Sequence, residues 1–319
     1  MSDGPEQFDA IVVGAGRRGL AAAAGQHRAN PGSRLLVVES APAPGGSIRT
    51  HRTNGFVCEL GRFAFGQAEL TPLLGLLERP PTPVEALPTA ASGWLRTARG
   101  NEPVAVDPMP RTFRSGNEEL AQAFRRELGS SLRLGRTAEA IDHDGDAFVV
   151  TLAGEPPAAL RAGSLHLAIP APAAGRLLAR FDPALADVAA RVRTEPRAFA
   201  FLGGDRAAAP ELTGYGILLA DGLDSPLTEA IFCSEVFPAR ALPGRFLVRA
   251  ELASAPPTAT DDELLDTAAG ELRAWTGTRA EFGLRKLHRF AVPVADGALA
   301  ECRARLRALP SRVPHLHVV

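Results

Sequence analysis

A glycine-rich hexapeptide near the start of the chain, Gly14-Ala15-Gly16-Arg17-Arg18-Gly19, has a spacing that can hold phosphate groups. A short apolar run typical of a strand, Phe8 to Val13, precedes it, and an alanine-rich stretch typical of a helix, Leu20 to Arg28, follows it. In such a unit the glycines permit a tight turn, close approach of a diphosphate, and close packing of helix on strand. The N–H groups at the helix start would then face the phosphates. The hexapeptide alone is a weak signal, so the prediction of a nucleotide site depends on the residues around it.

A carboxylate supports the same interpretation. The second apolar run, Arg34 to Val38, ends at Glu39, 25 residues after Gly14. A carboxylate at that place can accept both hydrogen bonds of a ribose diol. These residues, with the adjacent Ser40 as a further candidate contact, predict a Rossmann βαβ unit that holds the ADP half of a dinucleotide.

A paired glycine follows in the segment Pro44-Gly45-Gly46-Ser47-Ile48-Arg49-Thr50. Its backbone can wrap a second phosphate, and a plain glycine turn is the alternative. Arg17, Arg18 and Arg49 can neutralise a diphosphate, but exposed arginines are mostly solvated, so we expect only some of them to contribute.

Composition limits the class of protein. Of 319 residues, 45% are hydrophobic and 22% charged, as in an ordinary globular protein of two domains. The 35 basic and 36 acidic side chains nearly cancel, which argues against a nucleic-acid partner. Cys58, Cys233 and Cys302 are too scattered for a disulfide framework or zinc site. With a polar start and no apolar run of about 18 residues, we expect a cytoplasmic protein without a signal peptide or transmembrane helix.

The same residues resemble the start of the flavin amine oxidase superfamily, which reads strand, GxGxxGLAAA, strand, Glu, and then GG-x-I/V-R-T. The chain has GAGRRGLAAA, VVES and GGSIRT at these places. Its Gly55-Phe56-Val57 and Glu59-Leu60-Gly61-Arg62 resemble the family's G-F-x-x-E-x-G-P, with Arg62 in place of proline. The resemblance implies FAD as cofactor, bound by the two glycine segments and Glu39, and by further residues, namely Gly61, Arg62, Phe63, Ala138 and Ala168.

Later segments resemble the protoporphyrinogen oxidases within this superfamily. Gly214-Tyr215-Gly216 is similar to their GFG, and Ile231 to Ala241 is similar to their strand followed by F-P-x-R-A. Gly116 to Leu120, Ala168 to Pro170 and Ala291 to Pro293 match further pieces. The resemblance implies a small-molecule substrate, a porphyrinogen oxidised to a porphyrin in heme and tetrapyrrole biosynthesis. Hydride would pass from a bridge carbon to flavin N5, with O2 as the final acceptor.

Two departures weaken the match to that family. Only 49 residues separate Gly66 from Gly116, where the family has a longer helical segment that lines the substrate cavity and contacts the membrane. Peripheral membrane contact is therefore expected to be weakened. The arginine that would meet a substrate carboxylate is replaced by a small residue near Ser92. Arg96 or Arg99 is a possible substitute, and a solvated loop is the alternative. After Pro314 to Val319, the family continues with a helix that supports the flavin ring, so whether the chain is complete stays open.

The substrate contacts implied are Tyr215 as an aromatic platform, Phe65 near the flavin edge, and Arg96; ordinary core positions are the alternative for the aromatic residues. His288 replaces a family tryptophan, but it has no partner carboxylate in the sequence pattern. His315 and His317 alternate on one strand without a third ligand. No catalytic residue and no metal ligand is assigned.

We therefore expect an α/β protein with a Rossmann-type FAD-binding domain and an interleaved α+β substrate domain that carries a mixed or antiparallel sheet. The predicted segments are 1–66 and 116–197 for the FAD domain, 67–115 for a shortened substrate segment, 198–292 for the substrate domain, and 293–319 for a return toward the FAD domain. Two other functions remain open. One is a flavin amine oxidase-like enzyme with a smaller substrate, and the other is a degenerate, non-catalytic paralogue that binds FAD weakly or not at all.

Overall fold

The computed structural model describes residues 5–106, 109–154 and 158–319. The strands are β1 (Glu6–Val13), β2 (Leu35–Glu39), β3 (Thr50–Thr53), β4 (Phe56–Glu59), β5 (Pro83–Glu85), β6 (Ser92–Thr97), β7 (Gly100–Ala105), β8 (Arg111–Phe113), β9 (Leu132–Leu134), β10 (Ala138–His143), β11 (Phe148–Leu152), β12 (Ala158–Leu167), β13 (Thr194–Asp205), β14 (Gly216–Leu219), β15 (Leu227–Ile231), β16 (Arg245–Leu252), β17 (Leu284–Pro293) and β18 (Leu316–Val318). The α-helices are α1 (Arg17–Ala29), α2 (Gln67–Leu74), α3 (Glu118–Leu128), α4 (Ala171–Leu177), α5 (Ala184–Arg191), α6 (Cys233–Val236), α7 (Asp261–Thr276) and α8 (Gly297–Ala308).

The first sheet has the strand order β10-β11-β12-β1-β2-β9, with β18 also paired to β12. Its centre is parallel, because β1 pairs in parallel with both β2 and β12. Ile11 and Val13 of β1 belong to one hydrophobic cluster and Ala10 and Val12 to another, so this strand is buried on both faces. Such burial explains its continuous apolar sequence. The prediction of a Rossmann-type domain is confirmed.

The second sheet has the order β17-β13-β16-β15-β14-β6-β7 and is antiparallel except where β14 meets β6. One face is covered by α7, which packs Leu264, Leu265 and Ala268 into the same cluster as Val248 of β16. The N-terminus of α7 is fixed by a capping box between Thr260 and Glu263. The mixed, mainly antiparallel second sheet agrees with the predicted fold class.

The opposite face of the second sheet packs against the β3–β4 hairpin. Phe56 and Cys58 of β4 share a cluster with Phe199 and Phe201 of β13. The segment 67–115 supplies β6 and β7 to this second sheet. The proposed division of the chain into five segments stays a prediction. This packing places the residues that follow the two glycine segments beside the second sheet.

Candidate functional site: a nucleotide cleft and an aromatic face

In the glycine turn between β1 and α1, two glycines pack directly against neighbouring atoms and a third faces free space. Gly14 has φ +101°, and a Cβ on it would lie 2.7 Å from the Ala168 carbonyl oxygen. A Cβ on Gly19 would lie 1.9 Å from the Gly14 carbonyl oxygen, so helix and turn touch there. A Cβ on Gly16, by contrast, would meet no atom within 4 Å. The turn therefore keeps an open space at Gly16, in front of α1, of the kind that a phosphate occupies.

The N-terminus of α1 carries no side-chain cap. Its first N–H groups and the positive end of the helix dipole are available to an anion. At the end of β2, Glu39 accepts hydrogen bonds from the Ala15 N–H at 2.7 Å and from the Ala41 N–H at 2.8 Å. Ser40 donates its hydroxyl to the same carboxylate at 3.2 Å. The Glu39 side chain is thereby oriented beside the turn.

A cleft of about 450 Å³ opens at this edge of the sheet. It brings together four of the predicted cofactor residues, which are Gly14, Glu39, Ser40 and Ala138. Ala168, also predicted, lies directly against Gly14. No sequence motif singles out the other residues that line the cleft, namely Arg136, Thr137, Glu139, Ala173, Arg176 and Leu177. Its volume lies in the range of small-molecule sites.

The second glycine segment packs on the first. The Gly45 N–H donates to the Ala15 carbonyl at 2.8 Å, and a Cβ on Gly46, which has φ +57°, would lie 3.0 Å from Gly16 Cα. Gly61 touches Ser47 so closely that a Cβ would lie 2.1 Å from the Ser47 carbonyl oxygen. The predicted cofactor residues of both glycine segments and of the Gly61–Phe63 stretch therefore form one continuous surface.

The predicted arginines differ in their surroundings. Arg17 pairs with Glu69 at 2.7 Å, and Arg62 pairs with the same carboxylate. Arg18 and Arg49 are exposed. In this structure Glu69 partly neutralises Arg17 and Arg62, whereas Arg18 and Arg49 have no ion-pair partner within the described ranges.

An ion pair at the contact between the two sheets is fully buried. Glu59 of β4 lies 2.8 Å from Arg240, and both side chains are 1% exposed. Glu59 also accepts from the Thr50 hydroxyl and the Asn117 N–H. Burial raises the pKa of Glu59 and lowers that of Arg240, while the attraction between the two charges opposes both shifts. Glu59 belongs to the E-x-G piece of the sequence and Arg240 to the F-P-x-R-A piece. The ion pair therefore joins two motifs that lie far apart in the chain.

This ion-pair network also fixes the Gly61–Phe63 stretch. The Asn117 side-chain amide donates to the Arg62 carbonyl at 2.8 Å and to the Phe63 carbonyl at 2.9 Å. The Phe63 ring then lies 6.3 Å from the Tyr215 ring in an edge-to-face arrangement. Two predicted residues from distant parts of the chain, Phe63 and Tyr215, are thus brought together.

Arg249 of β16 completes this aromatic face. Its guanidinium carbon lies 5.3 Å from the centre of the Phe63 ring and 4.3 Å from that of Phe199. It donates to the Gly61 carbonyl at 2.6 Å and to Glu229 at 2.9 Å. Burial, with the charge of Glu229, raises the pKa of Tyr215 to about 12. Sequence reasoning missed Arg249 and Glu229, because no motif or spacing connects them to the nucleotide segments.

The structure separates two predicted substrate residues from this face. Phe65 is 1% exposed and packs against Phe113 in the hydrophobic cluster on the α1 side of the first sheet. Arg96 contacts Asn101 at 3.3 Å and shares its strand face with Trp94, which packs into the core on the α7 side. Neither residue packs with Tyr215, and their contact with substrate stays a prediction.

One histidine of β18 contacts the neighbouring strand of the first sheet. His317 of β18 stacks on His166 of β12 with ring centres 4.3 Å apart. The described part of the chain contains no group of three residues able to hold a metal ion. Within the same residues, no helix is long and apolar enough to cross a membrane.

Comparison with known proteins defines the class. Residues 12–79 match the model for NAD(P)-binding Rossmann-like domains, and residues 67–317 match that for flavin containing amine oxidoreductases. Because the second match spans most of the chain, the chain belongs to the flavin containing amine oxidoreductase family. It is an FAD-dependent oxidoreductase, and the open Gly16 position, uncapped α1 and oriented Glu39 fit that cofactor.

Several solved structures share the fold. A candidate protoporphyrinogen oxidase from Exiguobacterium sp. 255-15 superposes with a TM-score of 0.79 at 15% identity, over 100% of this chain and 94% of the other. A double mutant of putrescine oxidase gives 0.76 at 13% identity, over 99% and 93%. Cyclohexylamine oxidase from Brevibacterium oxydans IH-35A gives 0.72 at 15% identity, over 98% and 92%. At these identities the likeness shows the fold and leaves the substrate to be inferred from the site.

Proposed function

We propose that this FAD-dependent oxidoreductase oxidises a porphyrinogen to a porphyrin, with dioxygen as the final electron acceptor. The observation that carries the proposal is the aromatic face, in which Phe63, Tyr215 and Phe199 surround the point where the Gly61–Phe63 stretch meets the second sheet. Phe63 and Phe199 are buried, so a large, flat, mainly apolar ring would stack on Tyr215, which is half-buried. The similarity to the Exiguobacterium protein and the Gly214-Tyr215-Gly216 motif support the same substrate class.

The nucleotide cleft would bind the cofactor by its adenosine end. We propose that the α1 N-terminus and the Gly14–Gly19 turn hold the diphosphate and that Glu39 holds the ribose. Ser40, Ala138 and Ala168 would line the adenosine pocket. Gly45, Gly46, Ser47 and Arg49, with Gly61 and Arg62, would lead from the diphosphate toward Phe63. Bound FAD supplies the electron-accepting chemistry, and the protein supplies position and electrostatics.

Tyr215 is proposed to orient the substrate ring. Its raised pKa keeps the hydroxyl protonated at neutral pH, so it can donate a hydrogen bond but does not act as a base. Arg249, held by the Gly61 carbonyl and Glu229, contacts the rings of both Phe63 and Phe199. The residue that matters most for ring placement is therefore Tyr215, with Arg249 as a positioning residue.

A smaller amine is the competing substrate. The putrescine and cyclohexylamine oxidases share the fold, and Glu229 lies near Tyr215, where a carboxylate can hold an ammonium group. In this structure, however, Glu229 is engaged by Arg249 at 2.9 Å. An amine would therefore have to compete with a buried guanidinium. We favour the porphyrinogen for this reason, and we propose the cytoplasm as its compartment, in keeping with three buried cysteines that form no disulfide.

The test is turnover by the FAD-reconstituted protein in air, followed by porphyrin fluorescence and peroxide formation. We expect porphyrin to form faster than without enzyme, and Tyr215→Ala to lower kcat/KM about tenfold through lost stacking. Arg96→Gln, on the opposite face of the sheet, is the matched control and should leave the rate unchanged. Peroxide from an amine but not from a porphyrinogen would support the smaller substrate. No turnover with either, despite bound FAD, would support a non-catalytic flavoprotein.

A further inference from the structure

Asn117 lies just before α3 and is completely buried, at 0% exposure. Its side-chain amide donates to the Arg62 carbonyl at 2.8 Å and to the Phe63 carbonyl at 2.9 Å. The amide oxygen accepts from the Thr112 hydroxyl at 2.8 Å. Since an asparagine amide carries two N–H donors and one acceptor oxygen, every polar group of this side chain is engaged.

The buried Glu59–Arg240 ion pair fixes the orientation of this amide. Arg240 donates to the Thr112 hydroxyl, so the single proton of that hydroxyl is left for the Asn117 oxygen. The Asn117 backbone N–H donates in turn to Glu59 at 2.9 Å. The amide oxygen therefore faces Thr112, and the two N–H donors face the backbone carbonyls.

The two carbonyls that Asn117 holds determine where the neighbouring backbone N–H groups point. In a trans peptide the C=O and the N–H of one unit point in opposite directions. Because the Arg62 and Phe63 carbonyls both face Asn117, the N–H groups of Phe63 and Ala64 face away from it. Within residues 5–106, 109–154 and 158–319, neither of these N–H groups donates to another group of the protein. Two successive N–H groups on one side can share an electron-rich acceptor.

This donor pair lies where the second glycine segment meets the aromatic face. The Arg62 N–H donates to the Ser47 carbonyl at 2.9 Å, and the Phe63 ring lies 6.3 Å from the Tyr215 ring. Phe63 is 5% exposed, and Ala64 is half-buried. Buried backbone donors are almost always paired, so an N–H pair with no partner in the described part of the chain indicates a bound ligand.

We propose that Asn117 is a positioning residue, which holds the Phe63 and Ala64 N–H groups toward the electron-accepting ring of FAD and thereby raises the reduction potential of the cofactor. Reduction makes that ring more electron-rich, so N–H donors stabilise the reduced form over the oxidised form. The inference rests on the proposed course of FAD from the glycine segments toward Phe63. No motif singles out Asn117, because it lies at an unspecified position of the G-x-x-x-L segment.

The test compares the reduction potential of bound FAD in Asn117→Ala and in the unaltered protein, by anaerobic equilibration with a reference dye. We expect the equilibrium to shift about tenfold toward oxidised FAD through loss of a well-placed donor, which corresponds to a potential lower by about 30 mV. Asn101→Ala is the matched control and should leave the potential unchanged. The Asn101 amide likewise donates to a backbone carbonyl, that of Trp275 at 2.7 Å, but it does so at α7, on the other side of the second sheet.

A second pair of variants tests the same contact without removing Asn117. Thr112→Val removes the hydroxyl that fixes the amide and should shift the equilibrium in the same direction by about threefold. Thr112→Ser keeps a hydroxyl and should restore the original potential. These two variants decide the case in which Asn117→Ala does not fold.

An unchanged potential in Thr112→Val, or in a folded Asn117→Ala that loses only stability to urea, would show that Asn117 is merely structural and would overturn the inference. An equal shift in Asn101→Ala would overturn it as well. A lower potential in the Asn117 and Thr112 variants, together with no turnover of a porphyrinogen by the unaltered protein, would support the positioning role while the proposed substrate fails. Turnover of a porphyrinogen with potentials that do not change would show the opposite.

Discussion

The nucleotide cleft and the aromatic face are built in different ways. The part of the cleft that would hold phosphate consists mainly of backbone groups of the Gly14–Gly19 turn, with the Glu39 side chain beside it, and residues of β10 and α4 line the rest. The aromatic face consists of side chains from the Gly61–Phe63 stretch and from β13 and β16, with Tyr215 beside β14. Backbone sites depend on glycine and tolerate little change, whereas side-chain sites can be altered residue by residue. In this family the cleft can therefore stay constant while the substrate changes.

The largest loss of stability is expected from the buried Glu59–Arg240 pair, where the two sheets meet. Arg240→Met leaves Glu59 buried without its partner, which should lower the free energy of unfolding by about 3–5 kcal/mol. Urea denaturation followed by circular dichroism measures the change. The double variant with Glu59→Gln should recover part of the loss, because it removes the unpaired charge.

An exposed ion pair provides the control for that prediction. Arg191 and Glu301 lie 2.9 Å apart but are 62% and 41% exposed, so Arg191→Gln should cost about 1 kcal/mol or less. Equal losses for the buried and the exposed variants would show that the buried pair does not hold the two regions together.

A smaller effect on stability is expected at the helix–turn contact of the cleft. Gly19→Ala places a methyl group 1.9 Å from the Gly14 carbonyl oxygen if nothing moves, so turn and helix must separate. We expect a loss of about 1–3 kcal/mol in stability and strongly weakened FAD binding. Gly25→Ala in the same helix meets no atom closer than 3.9 Å and should be neutral or stabilising by about 0.5–1 kcal/mol. FAD binding by Gly19→Ala equal to that of the unaltered protein would remove the steric argument for the turn.

The smallest effect on stability is expected at Glu39, which lines the cleft beside the glycine turn. Glu39→Gln keeps the shape but exchanges one carboxylate oxygen for an amide that cannot accept from the ribose. We expect FAD affinity to fall about tenfold and stability to fall by about 1 kcal/mol, because the amide nitrogen cannot accept from the Ala15 or the Ala41 N–H that it would face. Flavin fluorescence titration measures the affinity. Asp9→Asn, which loses one hydrogen bond to the Arg34 N–H outside the cleft, should leave it unchanged.

The difference between a backbone site and a side-chain site also explains which features the sequence predicts. The spacing of Gly14, Gly19 and Glu39 is local, and the physical demands of a turn and a ribose act on those positions directly. The contact between Arg249 and the Gly61 carbonyl spans 188 residues and depends on how two sheets pack. Similarly, the sequence near Ser92 makes Arg96 a candidate, but only the strand alternation shows that it shares the face of Trp94, on the α7 side of the sheet. The sequence therefore predicts the turn that is formed by neighbouring residues. It does not predict which side chains meet when distant strands pack together.

The most direct test of the proposed reaction is anaerobic mixing of the FAD-reconstituted protein with a porphyrinogen, followed by the visible absorbance of the flavin. We predict that the oxidised flavin bands bleach as porphyrin appears and that they return when air is admitted. Bands that persist with a porphyrinogen but bleach with a primary amine would contradict the proposed function.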